Sequence, residues 1–329
     1  MQLFVEHLTT IDSAYLHPEH GLLGESWIVD VALEGALDAA SMVMDFAHVK
    51  KRLKAAIDGS LDHVLIVPER AKNLSLFYSP HLPTDPHSTP EGESHSLANL
   101  VGGKATEDPP TELARKSAQI PAPPQGGSKT GDGVVIEWRF GKGEMLVHYS
   151  PKSSVALLDS EIVTDAAMVA YLARVLAPVL PSTVSKLSLT LRHEVTDDSY
   201  YHYVHGLKTH DGHCQRIAHG HRSRIMIWKN GARERSLEAS WAAEWKTAYL
   251  ATRADIRAEK NGMLEMGYEA SEGWFALSYP SHRCHILETD STVEQIASHI
   301  ATTLKARDPS ASFRVRAYEG VQKGAVAEA

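Results

Sequence analysis

Short runs of alternating apolar and polar residues, set between turn formers and interleaved with a few helix-length stripes, predict a chain of strands carrying a small number of helices. Residues 2–8 and 27–33 (Trp27-Ile28-Val29-Asp30-Val31-Ala32-Leu33) read as strands, because each is short, rich in β-branched or aromatic side chains and flanked by turn signals. Asp45 caps a predicted helix over 46–57, whose apolar positions Phe46, Val49, Leu53, Ala56 and Ile57 recur at helical spacing. A strand-like run follows at 73–78. Residues 80–131 are rich in Pro, Gly, Ser and Thr and poor in large apolar side chains, so they read as a mobile insertion with no core of its own. A hairpin over 133–138 and 144–149 turns at Gly141-Lys142-Gly143, and a helix over 164–178 and a strand over 186–194 close the first half.

The second half repeats that order in shorter form. Tyr279-Pro280-Ser281 leads through Thr292 into a helix over 293–304, as Tyr149-Ser150-Pro151 leads through Thr164 into its helix. The strand Phe313–Glu319 then mirrors Ser188–Glu194, so both copies end on a glutamate. The boundary is expected near 199/200, giving modules 1–199 and 200–329. Antiparallel hairpins alternating with helices indicate an α+β protein with helices packed on one face of each sheet.

Composition narrows the classes. A chain of 329 residues, 43% hydrophobic and 22% charged, can bury substantial cores. A net charge of −8 with no basic run argues against a nucleic-acid binder, and no apolar stretch is long enough to span a bilayer. Two cysteines, Cys214 and Cys284, are too few for a disulfide framework and point to a reducing, cytoplasmic setting.

The chemistry concentrates in Cys214-Gln215-Arg216-Ile217-Ala218-His219-Gly220-His221, with His205 just upstream. His219 and His221 are two apart, so on a strand both rings leave the same face. A third imidazole from the preceding strand completes a three-nitrogen set for Zn²⁺ and leaves the fourth position open, as catalytic rather than structural zinc requires. His202, His210 and His213 are alternatives to His205. The first copy has Leu22-Leu23-Gly24-Glu25-Ser26-Trp27 where the second has Ala218-His219-Gly220-His221-Arg222-Ser223, and so lacks two of the three ligands. Cys214, among His213, Gln215 and Arg216, suits a reactive thiol; Cys284, in an alternating run, suits a structural one.

Met42-Val43-Met44-Asp45-Phe46 and its helix, Leu61-Asp62-His63, His205, Cys214, His219-Gly220-His221 and Glu319 together resemble the 6-pyruvoyltetrahydropterin synthase and 6-carboxytetrahydropterin synthase family. The resemblance implies two fused tunnelling-fold modules and zinc held by His205, His219 and His221. It also implies Cys214 as the catalytic thiol, Asp62 and His63 as proton-transfer partners, and Glu319 as the carboxylate gripping a pterin ring, with Glu194 its counterpart. Since the second copy lacks an Asp-His pair and the first lacks ligands, a composite site is expected, within one chain or between chains of a homo-oligomer. The implied reaction is a zinc-dependent rearrangement of the side chain of a reduced pterin such as 7,8-dihydroneopterin triphosphate. The alternatives are a divergent zinc enzyme acting on another pterin or a purine-like substrate, and a zinc-binding oligomeric scaffold without activity.

Overall fold

The computed structural model describes residues 1–37, 39, 41–43, 45–79 and 133–329; the insertion expected at 80–131 lies outside the described residues. The first module runs β1 (Gln2–His17), β2 (Gly21–Gly35), α1 (Phe46–Leu61), β3 (Leu65–Pro68), β4 (Leu74–Ser79), β5 (Gly133–Phe140), β6 (Glu144–Pro151), β7 (Val155–Leu158), α2 (Asp165–Leu176) and β8 (Val184–Arg192). The second runs β9 (Tyr200–His205), β10 (His219–Lys229), β11 (Ala232–Arg233), α3 (Arg235–Glu244), β12 (Thr247–Thr252), β13 (Ile256–Lys260) and β14 (Met263–Ala270). It ends with β15 (Gly273–Pro280), β16 (Cys284–Leu287), α4 (Val293–Arg307), β17 (Phe313–Tyr318) and β18 (Gly324–Glu328). No described helix is long and apolar enough to cross a membrane.

The same topology occurs twice. One sheet has the order β7-β3-β1-β2-β8 and the other β16-β12-β9-β10-β17, extended at its edge by β18. A third sheet, β13-β14-β15-β6-β5-β4, is palindromic: three strands from each module meet where β6 pairs with β15. The repeated order is the arrangement expected of two fused modules that share one sheet. The two main sheets are not wholly antiparallel, since β3 and β7 add in parallel beside β1, as β12 and β16 do beside β9. The helix between β2 and β3 supplies the crossover that parallel pairing needs.

Helical stripes pack each sheet on one face. Val49, Leu53, Ile57 and Leu61 of α1 and Met168, Leu172 and Leu176 of α2 recur every four residues and are buried against Val29, Val31 and Ile66. Ile296, Ile300 and Leu304 of α4 do the same against Tyr201, Ile225 and Val315. Thr164 and Thr292 cap α2 and α4 through their hydroxyls. A third core lies between the sheets, joining Leu16 and Leu22 to Trp138, Tyr249 and Phe275.

Two strand expectations change. The strand expected at 2–8 continues to His17, because its polar residues find buried partners: Ser13 Oγ donates to Leu61 O and Asp12 accepts from Ser26. The expected pairing of Glu194 with Glu319 is off by one residue. Gly24 lies opposite Ala14 as Gly220 lies opposite Val204, and Val29 opposite Leu191 as Ile225 lies opposite Ala317, so the counterpart of Glu319 is His193. A one-residue slip moves a side chain to the other face, and so Glu194 and Glu319 do not share a direction.

Candidate metal centre and its acid-base neighbours

His205 and His219 face each other across the β9–β10 ladder, and His221 follows on the same face opposite Tyr203. All three are buried, and one ring nitrogen from each lies within 4.8 Å of the others. His205 Nδ1 meets Ser291 Oγ at 2.9 Å and His219 Nδ1 meets Arg216 O at 2.9 Å, while His221 Nδ1 has only an ion-pair contact, 3.4 Å from Asp12 Oδ1. His205 Nε2 and both ring nitrogens of His221 are buried without a hydrogen-bond partner among the described residues. Leaving a buried nitrogen unpaired is costly, and a cation at the common focus would satisfy the Nε2 atoms. Burial, reinforced by neighbouring imidazoles, holds His205 and His219 well below the usual histidine pKa, so both offer neutral nitrogens. An all-nitrogen set of three fits Zn²⁺.

The Cys214 loop closes against this cluster. Gln215 accepts from Glu272 N at 2.8 Å and donates to Gly212 O at 2.7 Å, while Tyr268 OH donates to Gln215 O at 2.8 Å. Arg216 Nε donates to Glu272 Oε2 at 2.8 Å and its NH1 to His63 O at 3.3 Å, so one buried guanidinium ties the loop to the first module. Burial works against the Glu272 charge, but Arg216 and His213 hold its carboxyl below the usual range.

His63 reaches the centre from the first module within the same chain. Its ring stacks on His219 at 5.0 Å, and His63, Cys214 and His219 offer ligand atoms within 4.8 Å of one another. His63 adopts a left-handed backbone (φ 55°), held by its N–H to Asp12 O at 2.9 Å and by Arg216 on its carbonyl. Asp62 Oδ2 lies 2.9 Å from His63 Nδ1, and Asp62 Oδ1 accepts from Asp12 N at 2.8 Å. Burial alone would depress His63; hydrogen bonds to Asp62 and Cys214 hold its pKa up at about 10. Asp62, His63, Cys214, His205, His219 and His221 therefore gather in one place.

Neither expected ring anchor is among the ligand atoms that lie within 4.8 Å of one another. Glu194 lies beyond β8 with its carboxylate 2.8 Å from Arg224 Nε. Glu319 follows β17, 3.9 Å from Lys323 Nζ, which itself reaches Asp12 at 3.2 Å. Cys284 is half-buried and its thiol is pushed up to about 12, in keeping with a structural role. Sequence reasoning passed over Asp12, Ser291 and Glu272. The one signal was Asp12 itself, a carboxylate beside Ser13 in the middle of a long strand.

The modules meet through Gly24 and Gly220, back to back. A Cβ on Gly220 would lie 2.6 Å from Gly24 Cα, and one on Gly24 would collide with the Tyr203 carbonyl. Only glycine allows this approach, and the approach brings Asp12, Asp62 and His63 to the imidazoles.

Fold and site together define an α+β protein with a buried three-histidine cluster beside a Cys-His-Asp chain. Residues 7–108 match the family model described as 6-pyruvoyl tetrahydropterin synthase. No curated protein matches. Among solved structures, 6-pyruvoyltetrahydropterin synthase from Plasmodium vivax is 14% identical, covers 58% of this chain and 97% of its own, and has a TM-score of 0.33. A catalytic-residue mutant of that enzyme gives 0.34 at 14% identity, with the same 58% and 97% coverage. The Plasmodium falciparum enzyme gives 0.31 at 11% identity, covering 40% of this chain and 91% of its own. TM-scores this low carry no inference about the site.

Proposed function

We propose that this chain is a zinc-dependent lyase or synthase of the 6-carboxytetrahydropterin synthase type, acting on the side chain of 7,8-dihydroneopterin triphosphate. One observation carries the reading: unpartnered buried Nε2 atoms of His205 and His221 converge with His219 beside Cys214, His63 and Asp62, drawn from the other module. His205, His219 and His221 would hold zinc, and when bound it supplies Lewis-acid polarisation of side-chain oxygens. Cys214 Sγ takes a carbon-bound proton, with the His63 imidazole as its hydrogen-bond partner. Asp62 orients the His63 ring and stabilises its charged form from Nδ1. Glu319 is the better supported ring anchor, because Arg224 already engages Glu194. A carboxylate there accepts two donors side by side from an amide-and-amino edge.

The same reading treats 1–199 as a module without a metal site and 200–329 as the module that carries one. Tyr15, Leu23 and Glu25 stand at the register positions of His205, His219 and His221. It also supposes a cytoplasmic homo-oligomer, for which β8, unpaired on its outer side in the main sheet, offers an edge. A different pterin or a purine-like substrate is the second reading, favoured by Lys323 standing 3.9 Å from the carboxylate that would grip the ring.

Metal content of the purified protein and product masses after incubation with a small set of pterins test the proposal. Cys214→Ala is expected to retain zinc and lose about 10²–10⁴-fold in turnover. Zinc retained with turnover intact would remove Cys214 as the base.

A further inference from the structure

We propose that Asp12, contributed by the first module, is the positioning residue of the metal centre: its carboxylate holds His221 with Nε2 free to bind metal, while its peptide group sets Asp62 and His63. The proposal rests on the zinc reading above. Asp12 is buried in the middle of β1, with Oδ1 3.4 Å from His221 Nδ1. A carboxylate there keeps the proton on Nδ1, which leaves the Nε2 lone pair for the cation. Ser26 Oγ donates to the same Oδ1 at 2.5 Å, and Lys323 Nζ lies 3.2 Å from Oδ2. The β17–β18 turn seals the group. Gly320 (φ +67°) passes so near that a Cβ would collide with Asp12 Oδ1. Meanwhile Asp12 N donates to Asp62 Oδ1 at 2.8 Å and Asp12 O accepts from His63 N at 2.9 Å. One residue thus reaches the ligand shell through an ion-pair contact of its side chain and the acid-base pair through backbone hydrogen bonds.

The internal two-fold relation supplies a built-in comparison. By register Asp12 corresponds to His202 and His221 to Glu25. The mirrored contact is also present, His202 Nδ1 lying 3.6 Å from Glu25 Oε2, with acid and imidazole exchanged. Both pairs stitch the modules together, but only Asp12–His221 ends on a ring of the three-histidine cluster. A purely structural role would make the two pairs equivalent; a positioning role separates them.

Zinc affinity of the whole chain, measured by competition with a chromophoric chelator, tests this. Asp12→Asn keeps the shape, but its amide can donate to His221 Nδ1 and drive the proton onto Nε2. The zinc dissociation constant is expected to rise about 10–100-fold, with an altered visible spectrum of the Co²⁺ form. Glu25→Gln, at the mirrored position, is expected to leave both readouts unchanged. Asp12→Asn that folds and binds zinc as tightly as wild type overturns the proposal, as does an equal loss in Glu25→Gln. Should Asp12→Asn fail to fold, Ser26→Ala, which removes the hydroxyl fixing Asp12 Oδ1, is read instead: weaker zinc binding supports the proposal and unchanged binding overturns it. A wild-type chain that binds no zinc sinks the metal reading itself, an outcome distinct from equal binding by wild type and Asp12→Asn.

Discussion

His148 lies on the two-fold relation between the modules, opposite Leu277 where β6 pairs with β15, and it is 1% exposed. Its Nδ1 has no hydrogen-bond partner among the described residues, and burial alone pushes its pKa down to about 3. The folded protein keeps this imidazole neutral, whereas the unfolded chain protonates it below about pH 6.5. The unfolded state then binds more protons, so stability falls as pH drops from about 6.5 toward 3, and is fully present only above 6.5. Between pH 7 and pH 5 this one group removes about 2 kcal/mol, or roughly 3 °C in Tm for a chain of this length. Leucine is the residue at the mirrored position, and each of the two stands three residues before the proline that ends its strand, Pro151 or Pro280. His148→Leu is therefore expected to fit, to gain about 1–3 kcal/mol at pH 7 by removing an unsatisfied nitrogen, and to lose that part of the acid sensitivity. The assay is urea unfolding of wild type and variant at pH 7 and pH 5. A stability difference identical at the two pH values would refute the argument, since only a group buried neutral makes the difference grow with acid.

Two further substitutions probe how the site is held. Gly24→Ala places a methyl group against the Tyr203 carbonyl and within 2.6 Å of His221 N, both backbone, and is expected to cost about 1–3 kcal/mol and weaken zinc binding. Gly59→Ala, in α1 with nothing within 4 Å, is expected to stabilise by about 0.5–1 kcal/mol; thermal unfolding showing the two alike would contradict the close approach of the modules. Arg216→Met takes the main partner from Glu272 and the donor from His63 O. Its stability cost should stay below the roughly 3–5 kcal/mol of a fully buried broken pair, because Glu272 is 20% exposed and keeps His213. Turnover should fall further than stability. Denaturation and kcat measured on the same protein compare the two, and unchanged kcat would mean that Arg216 only anchors the loop.

Local pattern made the repeat legible. The apolar stripe of α1 buries Val49, Leu53 and Ile57 as its spacing predicted, because a helix or strand period sorts side chains to faces whatever surrounds it. His219-x-His221 likewise put two rings on one face of a single strand before any tertiary contact was known. The residues around them were not legible in that way. Asp12 looked like an interruption in β1, and nothing near it in sequence told that His221 and Lys323 would be its partners. The slip between Glu194 and Glu319 was equally hidden, since strand pattern repeats every two residues while register depends on which strand lies alongside. Sequence by itself therefore determined many of the elements, their doubled order and a set of candidate nitrogen donors, all consequences of short-range periodicity. Only the tertiary structure decided that Gly24 and Gly220 meet, and with them that Asp12, Asp62 and His63 stand beside the imidazoles, because contacts between distant strands depend on packing that no local pattern encodes.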